Sequence, residues 1–126
     1  MNPRRGELQQ WAGEERPALA VLLDAAGTAS EALLVGPEAV RASGDQLRAL
    51  AEAGRDRLAS HPCPDPDLGD RLVRIIERFG FMARSFDAPA DRYGSGYLPA
   101  LGHQLRALTA DLTAFVSDLD HATEGR

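Results

Sequence analysis

Apolar positions recur at helical spacings along nearly the whole chain. In the last third, Leu98, Leu101, Leu105, Leu108, Leu112, Phe115, Leu119 and Ala122 alternate in steps of three and four residues, the heptad pattern that holds one narrow stripe of a helix against a neighbour. A strand would bury every second residue instead. The preceding segment repeats the pattern with Leu68, Leu72, Ile75, Phe79, Met82 and Phe86. Ile76 and Ala83 widen that stripe, as Gly102, Thr109 and Val116 widen the one that follows. An earlier segment offers a smaller face of Val40, Leu47, Leu50, Ala51, Gly54 and Leu58, which predicts a close approach to a bulkier neighbour. The first segment carries Leu8, Ala12, Leu19, Leu22, Ala26, Ala29 and Leu33 on one stripe, with Glu15 in the slot between Ala12 and Leu19.

Prolines and glycines punctuate these segments. Gly36-Pro37 ends the first and begins the second, with Glu38 placed to favour a helix N-terminus. The stretch His61-Pro62-Cys63-Pro64-Asp65-Pro66-Asp67 cannot continue a helix. Asp65 is suited to cap the next one, with Pro66 at its first position. Pro89, Gly94 and Gly96 mark the residues from Asp87 to Gly96 as a surface turn; no strand or lysine supports a phosphate cradle at Tyr93 to Tyr97. Pro17 leaves two readings, a short helix over 7–15 followed by another, or one helix that kinks, and the continuous stripe favours the second. The pattern predicts helices over 7–35, 37–60, 66–87 and 96–122. They form an all-α, antiparallel four-helix up-down bundle, kinked or broken near Pro17, in a single domain spanning 1–126. Arg71 and Arg78 fall beside the third stripe and Asp111 and Asp118 beside the fourth, so an antiparallel alignment predicts the pairs Arg71–Asp118 and Arg78–Asp111.

Composition narrows this picture. With 126 residues, 44% of them hydrophobic, the chain supports one core. Its formal net charge of -5 argues against DNA as a partner, because binding a phosphate backbone needs a basic surface. All 14 basic residues are arginine, the mark of a GC-rich, bacterial genome. Cys63 is the only cysteine, so no internal disulfide can form and a reducing cytoplasm is the expected setting. Arg4-Arg5 is not followed by an apolar signal core, and the run Ala18 to Leu23, cut by Asp24, is too short for an export signal or a bilayer span. The chain is expected to be cytoplasmic, with no membrane partner.

Candidate chemistry is sparse. Asp118-Leu119-Asp120-His121 resembles the acidic-x-x-His element of ferritin-like proteins, yet it has no second copy and His121 lies off the stripe. His103 stands about 27 Å from His121 along one helix. No metal and no cofactor are expected. Arg55-Asp56 followed by His61 resembles the ribonuclease motif of HEPN-domain proteins, small helical bundles often found as toxins. That resemblance implies Arg55 as the cation on the scissile RNA phosphate and His61 as the proton-transfer or positioning group. Two full helices follow the motif here, where the family has about one. Trp11-Ala12-Gly13 is similar to the Trp-x-Gly signature of small secreted helical hairpins of type VII systems, though it lies near the N-terminus of a helix rather than in a turn. Trp11 therefore reads as an aromatic closing the bundle end, or as an anchor for a partner.

One surface stripe remains. Arg71, Arg74, Arg78 and Phe81 line one side of the third helix, with Phe81 off the main stripe. Such a cation and aromatic row suits an acidic partner or single-stranded RNA, or else is a solvated arginine face with one partly covered phenylalanine. The expectation is a non-enzymatic protein–protein interaction module, binding another protein or itself as a homodimer, with no catalytic residues and Arg71, Arg74, Arg78 and Phe81 as its contacts. The alternative is a HEPN-like, metal-independent ribonuclease or toxin–antitoxin component using Arg55 and His61, with RNA as a partner under that reading alone.

Overall fold

The computed structural model describes residues 3–87 and 97–124, and the side chains of residues 5–86 and 99–124. Four helices account for nearly all of these: α1 (Pro3–Val35), α2 (Pro37–Ser60), α3 (Pro66–Asp87) and α4 (Tyr97–Thr123). The first three open on proline, at the position where its missing N–H and fixed φ are least costly. This places the start of α1 at Pro3, ahead of the expected residue 7. The connection over 88–96, expected as a surface turn, lies outside the described residues, as does the side chain of Leu98.

α1 runs unbroken through Pro17. Pro17 and Gly13, four residues before it, both lie on the exposed side, so the hydrogen bond that proline removes is lost on the face open to water. The segment Arg5–Val35 is long and apolar enough to cross a membrane, by length and composition alone. The short run from Ala18 to Leu23 thus understates the length of the apolar helix. Here α1 packs along α2 and α4 within the bundle.

Gly36 alone separates α1 from α2. Its φ of 153° and ψ of 179° lie in a region that side chains with a Cβ rarely adopt. Its N–H donates to the Ala32 carbonyl at 3.3 Å, and its own carbonyl accepts from Val40 N–H at 3.1 Å. The α2–α3 turn follows the capping expected from its sequence. His61 N–H donates to the Arg57 carbonyl at 2.7 Å, closing α2. Asp65 Oδ1 accepts from the backbone N–H of Asp67 at 2.9 Å and of Leu68 at 3.1 Å, which satisfies two free donors of the first α3 turn.

The helices pack in a ring, α1–α2–α3–α4 and back to α1, with successive neighbours antiparallel. Both register pairs form: Arg71 Nη1 lies 2.7 Å from Asp118 Oδ2, and Arg78 bonds Asp111 about two turns along each helix. The core is the predicted set of stripes meeting on the axis. Trp11, Phe79, Phe115, Leu47, Leu105, Leu108, Leu112 and Leu119 are its largest fully enclosed side chains. At the end of α4 the stripe departs from expectation. Ala122 is exposed and Thr123 is buried in its place, because Thr123 Oγ1 donates to the Leu119 carbonyl at 3.0 Å and so carries no unmet donor inward.

The small face of α2 does what its composition predicts. A Cβ placed on Gly54 would meet Ile76 Cδ1 at 3.1 Å, and α2–α3 is the most extensive helix pairing among the described residues. Ser43 and Gly44 join Leu47 and Ala51 in the buried strip, while Val40, Leu50 and Leu58 pack at its margins. The α3–α4 pair, which carries most of the large apolar residues, makes the least extensive contact of the four among the described residues. Aromatic side chains such as Phe79 and Phe115 keep those two backbones apart.

Candidate functional site

The helical repeat leaves one flank of α3 facing outward beside α4, and the side chains there differ from the rest of the surface. Phe81 is 54% exposed, although most large apolar residues of α3 are buried. Beneath it a cleft of about 260 Å³ opens between α3 and α4, lined by Arg78, Phe81, Met82, His103, Gln104, Ala107 and Leu108. A second depression of about 210 Å³ continues along the same helix pair, bordered by Arg71, Arg74, Ile75, Arg78, Asp111 and Ala114. Arg78 belongs to both, so the four residues singled out from the sequence lie along one groove.

Within that groove the arginines do different things. Arg71 bonds Asp118, and its guanidinium lies 5.7 Å from the centroid of Phe115. Arg78 bonds Asp111. Arg74 is exposed and forms no ion pair with any described residue. Arg84, which the sequence reading passed over, lies 5.9 Å from the centroid of Phe81, a cation–π distance that steadies an otherwise open ring. Its signal in the sequence was the three-residue spacing from Phe81. The contribution of α4, His103, Gln104 and Ala107, was not legible, because a helix face does not reveal which neighbour it borders. The cleft lining offers one histidine and no nucleophile or carboxylate beside it.

Arg55 and His61 face different neighbours. Arg55 borders a depression between α2 and α3 with Leu58, Ala59, Val73, Ile76 and Glu77. His61 turns to α1, where its Nε2 lies 2.7 Å from Glu14 Oε2 and its carbonyl accepts from Trp11 Nε1 at 2.9 Å. Arg55 thus lines the α2–α3 depression, while His61 is engaged with α1. Trp11 is 1% exposed and closes the bundle end, so it packs there and offers no anchor to a partner.

That end gathers further polar contacts. Glu15 is buried on the core stripe of α1 and receives two hydrogen bonds from Arg57 of α2, from Nε and Nη2, each at 2.9 Å. These bonds, then the Glu15 charge, raise the Arg57 pKa above its ordinary value, against a smaller opposing effect of desolvation. Arg16 pairs with Asp120 at 2.6 Å, and Gln9 Nε2 donates to the Thr123 carbonyl at 2.6 Å. Cys63 sits half-buried in the adjoining turn, where burial pushes its thiol pKa up, only partly offset by a backbone hydrogen bond from Asp65. A thiol held protonated in this way is a poor nucleophile. His103 and His121 are exposed, and among the described residues no group of three His, Cys, Asp or Glu side chains could hold a metal ion.

Comparison of the chain with known protein families, with curated proteins and with solved structures gives no match.

Proposed function

We propose that the chain is a non-enzymatic interaction module that binds protein through the α3/α4 groove. The observation that carries this reading is Phe81, 54% exposed above an apolar cleft and flanked by arginines. An aromatic ring half in water gains when a partner covers it, and aromatic and arginine side chains are the residue types that dominate interface energies. At about 260 Å³ the cleft is below the usual range for a small-molecule site, and it suits one or two side chains of a docked segment. The net charge of -5 and the engagement of His61 with Glu14 of α1, while Arg55 lines the α2–α3 depression, weigh against RNA as the partner. A reducing cytoplasm fits the single free thiol of Cys63.

The test is a photo-crosslinking phenylalanine analogue at position 81, compared with the same analogue at the exposed Ala49 of α2. Discrete protein adducts are expected from position 81 alone, and they should fall at least about tenfold when Arg74→Glu and Arg84→Glu are added. Adducts of equal yield from both positions, or none from either, would remove the reading.

A further inference from the structure

The large apolar residues left exposed fall on two sides of the bundle. Leu34 and Val35 are the most open, at 89% and 77%, and with Val21 they lie on the outer side of α1. Phe81 and Val73 lie on α3, which stands diagonally across the ring from α1. The charges left unpaired on the two sides are of opposite sign. Asp24 and Glu31 share an exposed stripe of α1 with Gly27 and Leu34, since 24, 27, 31 and 34 alternate in steps of three and four. Neither carboxylate forms an ion pair with any described residue. On α3, Arg74 and Arg84 likewise lack a carboxylate among the described residues.

We infer that the partner of the α3/α4 groove is a second copy of this chain, which lays the outer stripe of its α1 along α3 with Leu34 beside Phe81. This rests on the interaction reading above. The spacings support it. Leu34 follows Glu31 by three residues and Asp24 by ten, while Phe81 follows Arg78 by three and Arg71 by ten. With the two helices parallel, Glu31 and Asp24 come level with Arg78 and Arg71 at rises of about 4.5 and 15 Å from the apolar contact; each guanidinium already holds Asp111 or Asp118 through one nitrogen and keeps further N–H donors for a second carboxylate. The same register puts Arg74 opposite Gly27, between Asp24 and Glu31. Gly27 is exposed and has open space where a Cβ would be, leaving room for the guanidinium. An acidic α1 stripe is also poorly matched to an anionic lipid surface, the other medium that could cover Leu34 and Val35.

Because donor stripe and acceptor groove lie on different sides of the bundle, the contact is heterologous. Copies would add head to tail instead of closing as a two-fold dimer. Joining two distinct faces makes a sharp prediction. Leu34→Asp damages only the donor and Phe81→Asp only the acceptor, and both sites are exposed, so neither change disturbs the core.

Sedimentation velocity across a range of concentrations tests this, with helix content and melting checked for each variant. Wild type should form species beyond the 13.5 kDa monomer, weakening with added salt. Each variant alone should associate about tenfold or more weakly. An equimolar mixture of the two should form a heterodimer and nothing larger, because one intact donor and one intact acceptor remain. A monomeric wild type overturns the inference, and the interaction reading survives that result if position 81 still crosslinks to another protein. Association lost in Phe81→Asp but kept in Leu34→Asp indicates a two-fold contact and overturns it. So does a mixture that fails to pair, or wild type that binds anionic vesicles through Leu34 without self-associating.

Discussion

Glu15 sits buried on the core stripe of α1, where it accepts two hydrogen bonds from Arg57 of α2. A carboxylate in the slot between Ala12 and Leu19 is visible in the sequence as a breach of the apolar stripe. Its partner is not, because Arg57 is one of many charged residues on α2 and only the lateral placement of the helices selects it. The pair is unequal: Glu15 is buried, whereas half of the Arg57 side chain is exposed. Removing one partner therefore has different consequences on the two sides. Arg57→Ala strands a buried carboxylate and should cost about 2–4 kcal/mol. Glu15→Leu continues the apolar stripe while Arg57 swings into water, and it should change stability by no more than about 1 kcal/mol in either direction. Urea unfolding of the two variants measures this difference. Equal losses would mean that the ion pair, and not the burial of Glu15, dominates the site.

At the scale of the elements, most of the fold was legible because each boundary is written in backbone chemistry. Pro37 and Pro66 stand where the helix uses no N–H donor of their own, and Asp65 stands where it accepts from the free N–H groups of the first turn. The charges flanking the stripes fixed the α3–α4 register, and both pairs formed. What sequence patterning could not weigh is backbone distance. Small residues on α2 let Gly54 approach Ile76 closely, while the aromatics that make the α3 stripe conspicuous hold α4 away. Pro17 likewise depended on which face it occupied, a matter settled only by the rotation of α1 in the bundle. The α1–α2 corner yields a direct test. Gly36 holds φ 153° with a single residue between two helices, so Gly36→Ala should destabilise the bundle by about 1–3 kcal/mol through backbone strain alone. A Cβ there meets nothing within 4 Å, so a steric clash cannot be the cause. An unchanged thermal midpoint would show that the corner relaxes to another conformation at little cost.

Across the whole molecule the two ends are built differently. One end draws contacts from α1, α2, α4 and the α2–α3 turn: Gln9 with Thr123, Arg16 with Asp120, Glu15 with Arg57, and Trp11 with the carbonyl of His61. Its partners are remote in sequence, which is why the arginine row of α3 was readable beforehand and this cluster was not. A row follows from one helix and its period, whereas a cluster needs the order of helices around the axis. The opposite end of α1 and α2 exposes Leu34 and Val35 and turns on Gly36. Local opening should follow the same asymmetry, since stability is distributed according to burial and tertiary contact. The last turns of α1 and α2 allow a matched comparison, both being helix C-termini. Amides of residues 32–35 should exchange with solvent about tenfold or more faster than those of residues 57–60, the difference expected when one turn carries one or two more tertiary hydrogen bonds. Trp11→Phe keeps an aromatic ring in the core but removes the donor to His61, so it should speed exchange at 57–60 and leave 32–35 unchanged. Hydrogen exchange read by NMR resolves both turns. Equal protection in wild type, or a Trp11→Phe effect spread evenly over both ends, would show that the bundle opens as a single unit.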